Sequence, residues 1–233
     1  MKWPGDLIEA TLIKRYKRFL ADFKMADGQI VTAHCANTGS MKTCLQDDAL
    51  CRLTFHDDPK RKLKYSWQAI QMPDGWVGIN TSLANRLTSE AISNGVIKEL
   101  AGYKSLATEK KYGANSRIDI LLEDPSKPPC YVEVKNVTLL LKEGVAGFPD
   151  AVTQRGAKHL KELAEMVSQG NRAVLIYCVQ RESVKEVAAA EAFDPEYARI
   201  LKQVKNKGVE VYAYQALFTS EDLRLARPIP VHI

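Results

Sequence analysis

No stretch of the 233 residues approaches the roughly 18–20 apolar side chains needed to cross a bilayer, and the opening MKWPGDLIEA lacks the apolar core of a secretory signal. A membrane span is not expected; a cytoplasmic location is. The five cysteines (Cys35, Cys44, Cys51, Cys130 and Cys178) are odd in number and form no CxxC pair, which argues against a disulfide framework or a zinc knuckle and fits a reducing compartment. Neither GxGxxG nor GxxxxGK[ST] occurs, so nucleotide-cofactor functions are disfavoured. The chain also has no internal repeat, low-complexity tract or long linker. Excess charge is scarce: 33 Lys/Arg against 28 Asp/Glu leave a net +5, too little to identify a partner. Its distribution says more, because up to Arg86 there are 13 basic and 9 acidic residues, and beyond it 20 and 19. The basic excess belongs to the first third.

That first third is a series of short β-branched or aromatic runs separated by turn signals. LIEATLIKRY, RFLADFKM, QIVTAHC, LCRLTFH, YSWQAIQM and WVGINT alternate with Asp27-Gly28 and Asp74-Gly75, predicting a small β-barrel or sandwich over 1–81. From Ser82 the apolar spacing becomes helical in SLANRLTSEAISNGVIKEL, marking a junction. The remainder, 82–233, alternates strand and helix signals. SRIDILLED and YVEVKNVTL read as strands, AVTQRGAKHLKELAEMVSQG as an amphipathic helix, RAVLIYCVQ as a buried strand, PEYARILKQVKNKG as a helix and VEVYAYQAL as a strand. The order β-β-α-β-α-β predicts a layered α/β domain with a mixed sheet.

Within YVEVKNV, Glu133 and Lys135 are two residues apart on a strand, so their side chains leave one face while Val132 and Val134 leave the other. If SRIDILL pairs with this strand as a hairpin, Asp119 comes beside Glu133. Two neighbouring carboxylates repel, and an oxygen-seeking divalent cation, Mg²⁺ or Mn²⁺, would relieve the repulsion. Such a metal polarises a phosphodiester and acidifies water, with Lys135 orienting that water or neutralising developing charge. The alternative is a solvated ion-pair set on a charged strand face.

The apolar-Asp, hairpin, Glu-x-Lys, helix pattern resembles the PD-(D/E)XK nuclease core, with Ile118-Asp119 standing where that family has Pro-Asp. This resemblance implies a catalytic set of Asp119, Glu133 and Lys135, an auxiliary metal ligand from an upstream helix at Glu90, and contributions from Gln154, Arg155, Lys158 and His159. As a whole the chain resembles the sugar fermentation stimulation protein A family, through RYKRFLADF, HCANTGSM, VGINTSLANRLTSEAI, KYGANSRIDILL, CYVEVKNVTL, GFPDAVTQRGAKHLKEL and FDPEYARIL. That family implies an OB-like barrel, a nuclease-like α/β domain, non-specific DNA binding and a link to the regulation of maltose or sugar use. Ala36 departs from it, since Pro is expected in HCANTG.

Two basic groups with interleaved aromatics lie in the first third: Lys14, Arg15, Lys17 and Arg18 around Tyr16 and Phe19, and Lys60, Arg61, Lys62 and Lys64 before Tyr65 and Trp67. They suit phosphate neutralisation with base stacking, or are simply the solvated face of strands whose aromatics turn inward. The polar loop with Asn37, Ser40 and Lys42 around Gly39 would offer N–H groups to a phosphate, or be a bonded structural loop. Arg117, Arg155 and Lys158 complete the candidates for nucleic-acid contact. Cys130 and Cys178 are expected in the core, and His159 either borders the carboxylate site or lies on a solvated helix face. The expectation is sequence-independent DNA binding; a metal-dependent nuclease and a sugar or metabolite regulator are the alternatives.

Overall fold

The computed structural model describes residues 1–112 and 116–233; residues 113–115 of the KYGANSRIDILL motif lie outside it. The first six strands are β1 (Leu7–Tyr16), β2 (Leu20–Met25), β3 (Ile30–His34), β4 (Leu50–Phe55), β5 (Tyr65–Met72) and β6 (Gly75–Gly78). Their order is β3-β2-β1-β4-β5-β6, and a parallel pairing of β3 with β5 closes the first five into a barrel. Strand alternation buries Leu12, Phe23, Val31, Cys51, Leu53 and Trp67 inside it. Trp67, counted with the aromatics beside the basic run, is therefore a fully buried core residue packed edge-on to Phe23.

The second domain opens with α1 (Ala84–Ser93) and continues through β7 (Ser105–Tyr112), β8 (Ser116–Asp124), β9 (Lys127–Val137), β10 (Leu139–Lys142), β11 (Val145–Phe148), α2 (Gln154–Ser168), β12 (Arg172–Val179), β13 (Glu186–Ala189), α3 (Pro195–Asn206), β14 (Glu210–Phe218), β15 (Leu223–Ile229) and β16 (Val231–His232). A mixed sheet of order β15-β14-β12-β9-β8-β7 forms its centre, with β12 parallel to both β9 and β14. A smaller sheet has the order β10-β11-β13-β16. The predicted β-β-α-β-α-β series is present as β8, β9, α2, β12, α3 and β14. Strands β7, β10, β11, β13, β15 and β16 were not anticipated.

Helices cover both faces of the central sheet, and this explains why β12 is an unbroken apolar run. Val174, Ile176 and Cys178 face α1, while Ala173, Leu175, Tyr177 and Val179 face α2 and α3. Met1 and Trp3 join the core on the α1 side, so the first residues of the chain pack into the second domain, not the barrel. All five cysteines are free and buried. Among the described residues no helix is long and apolar enough to cross a membrane.

Polar contacts join the two domains. Buried Arg181, after β12, makes a two-pronged ion pair with Asp74 in the β5–β6 turn at 2.6 and 2.8 Å, and donates to the carbonyls of Thr43 and Thr138 at 3.0 and 3.2 Å. Ser40 donates its backbone N–H and its hydroxyl to Asp150 Oδ2 at 2.8 and 3.0 Å.

Candidate metal and nucleic-acid site

Strands β8 and β9 run as an antiparallel ladder from Leu122↔Cys130 to Ile120↔Val132, where the backbone pairing ends. At that fork the Asp119 side chain replaces the missing carbonyl: its Oδ2 accepts the Val134 N–H at 2.7 Å, and its Oδ1 accepts Asn85 Nδ2 of α1 at 2.8 Å. The predicted hairpin thus brings Asp119 beside the Glu133 level of β9. Val132 and Val134 face α1 in the core, and Glu133 and Lys135 leave the opposite face towards α2. Lys135 Nζ donates to Glu133 Oε1 at 2.6 Å.

Helix α2 supplies what covers this pair. Thr153 caps its first turn, accepting from the Gly156 N–H at 3.0 Å, and the following turn carries His159 onto the strand. His159 is buried, with Nδ1 against Glu133 Oε1, and Arg155 Nε donates to its Nε2 at 3.4 Å. Because Nε2 accepts from a guanidinium, the ring proton belongs on Nδ1, where it donates to the carboxylate. The solvated-face alternative for His159 is thereby ruled out. Glu133, only 2% exposed, has Oε1 engaged by Lys135 and His159, while its buried Oε2 has no hydrogen-bond partner among the described residues.

The two carboxylates are pushed apart in acidity. Burial raises Glu133, but the His159 hydrogen bond and the Lys135 charge outweigh it, so the group titrates below an ordinary Glu. Burial and the neighbouring Glu133 charge raise Asp119 above an ordinary Asp, despite its bonds to Val134 and Asn85. An orphaned buried carboxylate oxygen beside a second carboxylate whose charge is disfavoured fits a hard divalent cation with oxygen ligands. Among the described residues no group of three or more Asp, Glu, His or Cys side chains is placed to hold a metal ion, so a cation bound through Asp119 and Glu133 would keep most of its water shell.

A consequence for stability follows. A proton held more tightly by Asp119 in the folded state than at its unfolded value near ~3.9 makes the metal-free protein lose stability as pH rises through the interval between the two. Thermal melts in EDTA between about pH 4 and 7 should show this slope in the wild type; Asp119→Asn should flatten it. Equal slopes would show that Asp119 is not perturbed.

The site opens into a cleft of about 560 Å³ bordered by Asp119, Arg117, Gln154, Arg155, Lys158 and Glu109. Three of the expected nucleic-acid contacts, Arg117, Arg155 and Lys158, therefore share one cleft with Asp119. Glu90 does not join them. The Glu90 carboxylate lies 2.6 Å from the Met1 amino group, and five residues along a helix put it ~140° around from Asn85. The residue of α1 that reaches Asp119 is Asn85, so the assignment of Glu90 as a ligand is corrected.

On the barrel, some candidates prove structural. Arg15 Nη2 donates to the carbonyls of Arg18, Asn37 and Gly39 at 2.8, 2.9 and 3.1 Å. Asn37 is buried and its Oδ1 accepts the Gly39 N–H at 2.9 Å, while Ser40 is bound to Asp150. The loop is the bonded structural one, and these three residues are corrected from phosphate contacts to loop and interface supports. Arg61 donates to Ser66 Oγ at 3.1 Å. Lys17, Arg18, Lys42, Lys60 and Lys62 remain exposed, with Lys17 and Arg18 at positive φ in the tight β1–β2 turn. Sequence reasoning missed Asn85, whose role depends on a contact 34 residues away.

Fold and site together define a two-domain protein, an OB barrel joined to a mixed-sheet α/β domain with a carboxylate–lysine cluster at a strand fork. Comparison with known proteins narrows this. Residues 13–79 match the family described as the SfsA N-terminal OB domain, and residues 82–222 match the sugar fermentation stimulation protein RE domain. A sugar fermentation stimulation protein homolog of Geobacter sulfurreducens is 52% identical over 98% of this chain and 97% of its own length. One from Maricaulis maris is 50% identical over 100% and 99%. The solved structure of Pyrococcus furiosus SfsA in complex with Ca²⁺ superposes with a TM-score of 0.89 at 25% identity, covering 100% of this chain and 98% of that one. The chain belongs to the sugar fermentation stimulation protein (SfsA) family.

Proposed function

We propose that this protein binds DNA without reading its sequence and that its α/β domain is a metal-dependent nuclease of PD-(D/E)XK type. The observation that carries this reading is the β8–β9 fork, where Asp119 bonds to the Val134 N–H one residue from Glu133, whose Oε2 is buried without a partner among the described residues, and Asp119 borders a cleft shared with Arg117, Arg155 and Lys158. The Ca²⁺ in the Pyrococcus furiosus structure supports a divalent cation as the ion of this site; Mg²⁺ or Mn²⁺ is the proposed working metal. When bound, such a cation polarises the phosphodiester and lowers the pKa of a water. Asp119 and Glu133 hold it, and His159 keeps Glu133 in place through the hydrogen bond to Oε1. Lys135, itself held by Glu133, orients the attacking water or offsets charge developing on phosphorus. Arg117, Arg155 and Lys158 hold the phosphates on either side. The test is cleavage of DNA and RNA forms with Mg²⁺ or Mn²⁺ beside the Lys135→Ala variant; no metal-dependent cleavage of any form by the wild type would overturn the nuclease reading.

The exposed basic residues of the barrel, Lys17, Arg18, Lys42, Lys60 and Lys62, extend this grip along the backbone. Binding carried by phosphate contacts falls with salt at a log–log slope of about −0.9 per phosphate neutralised. Replacing Lys60, Arg61 and Lys62 together by Ala should make that slope shallower by two to three units on the order of one per lost contact, equally on unrelated sequences. Fluorescence anisotropy against salt measures it, and an unchanged slope removes this cluster from the interface. Through the relatives' names, the same DNA contact is proposed to serve the regulation of sugar fermentation in the cytoplasm.

A further inference from the structure

The β7–β8 register places a third carboxylate in line with the two already described. Thr108 pairs with Ile120 and Lys110 with Ile118, so Glu109 stands directly opposite Asp119, with no backbone pairing between them. On the other side, the β8–β9 ladder ends at Ile120↔Val132, one step before Asp119 would meet Glu133. Glu109, Asp119 and Glu133 thus occupy the same level of three adjacent strands. Directly opposed side chains have Cβ atoms about 4.5–5.5 Å apart, and like charges there are destabilising.

Two further observations concern Glu109. It has a φ of +56°, unfavourable for a non-glycine residue and not needed by the ladder, which resumes in the same register on either side. Its Oε1 also lies 3.4 Å from Asn85 Nδ2, the same nitrogen that donates to Asp119 Oδ1 at 2.8 Å. One amide therefore draws two acidic groups together at the mouth of the cleft that both border. At the far end of this row, the buried Glu133 Oε2 is without a hydrogen-bond partner among the described residues.

We infer that Glu109 is the third acidic group of the cation site, holding a water of the ion's shell opposite Asp119, with Asn85 aligning the two. The inference rests on the divalent-metal reading of the Asp119/Glu133 site and gives Glu109 the place expected of Glu90. Partial hydration is the ordinary habit of Mg²⁺ and of many Ca²⁺ sites, so a carboxylate that reaches the ion through water is chemically apt. Groups that act through a ligand or a bound water typically account for 10–100-fold in metal affinity.

Isothermal titration of the intact protein with Ca²⁺, and separately with Mn²⁺, tests this without any cleavage assay. Glu109→Gln should bind about 10–100-fold more weakly than wild type, while its melting temperature in EDTA is no lower, because a like charge facing Asp119 has been removed. Glu109→Asp, which keeps the charge but shortens the reach, should fall between the two, and it decides the matter if Glu109→Gln does not fold. Glu90→Gln should leave affinity unchanged. Wild-type affinity in Glu109→Gln, alongside lost binding in Asp119→Asn, would overturn the role of Glu109 and leave the metal site standing. No cation binding by the wild type would overturn the site reading, and this inference with it.

Discussion

Lys135→Ala should lower Mg²⁺- or Mn²⁺-dependent cleavage of DNA by about 10²–10³-fold, the loss typical when one group that stabilises transition-state charge is removed. Lys135 donates to Glu133 Oε1 at 2.6 Å and its side chain is 14% exposed; on the nuclease reading, its ammonium would meet the charge developing on phosphorus. Asp119→Asn should reduce cleavage at least as far, by a different route, because it removes a proposed metal ligand while its amide oxygen can still accept the Val134 N–H. Calorimetry with Mn²⁺ separates the two: Lys135→Ala should retain the ion and Asp119→Asn should not. Single-turnover cleavage of labelled DNA is the direct measurement, with circular dichroism to confirm folding. Cleavage that survives both substitutions would mean the activity belongs to another protein.

Arg181→Ala should destabilise the domain boundary by roughly 2–4 kcal/mol, because it strands two carbonyl acceptors and leaves the partly exposed Asp74 without its partner. In a chain of this size that corresponds to a fall in melting temperature on the order of 10 °C. Arg181 is only 2% exposed and binds Asp74, Thr43 and Thr138 at once, so its loss strands an acceptor from each domain. Burial opposes ionisation of Asp74, yet its bonds to Arg181 and Ser183 prevail and hold the carboxyl below the usual range. The double variant Arg181→Met with Asp74→Asn should recover part of the loss, because no buried charge is left unpaired. Differential scanning calorimetry measures both, and an Arg181→Ala shift within a degree or two would show that the domains do not depend on this clamp.

Much of this architecture was legible because burial leaves a period in the sequence. In YVEVKNV the alternation of valines with Glu133 and Lys135 gave the strand, its faces and the charged pair together; in RAVLIYCVQ the unbroken apolar run announced a strand covered on both sides. Strand β7, SLATEKKY, hid because it is an edge strand with mostly exposed side chains, and an edge need not alternate. Residues Leu223 and Leu225 of β15 did carry the strand period, being buried between exposed Arg224 and Ala226, and that signal was readable. The site was legible only where its residues are local. Asp119, Glu133 and Lys135 sit in adjoining strands and His159 came with the nuclease resemblance, whereas Asn85 reaches Asp119 from α1 across 34 residues and Glu109 lies on the edge strand β7, which the sequence pattern hid. Asn37 and Ser40 show the reverse: short polar residues beside a glycine suggested a phosphate cradle, and the basic run suggested a phosphate contact for Arg15, but folding uses their donors and acceptors on nearby carbonyls, on Gly39 and on Asp150.

The substitution of the Asp119 carboxylate for a backbone carbonyl at the strand fork has a bearing on the life of the chain in the cell. The bond to Val134 forms only once the β8–β9 hairpin has zipped to Ile120, and Glu133 is oriented only after α2 has been synthesised and docked. On the nuclease reading, a ribosome-bound or half-folded chain is therefore harmless to nearby chromosomes. On that reading, competence to cut would arrive together with the native state.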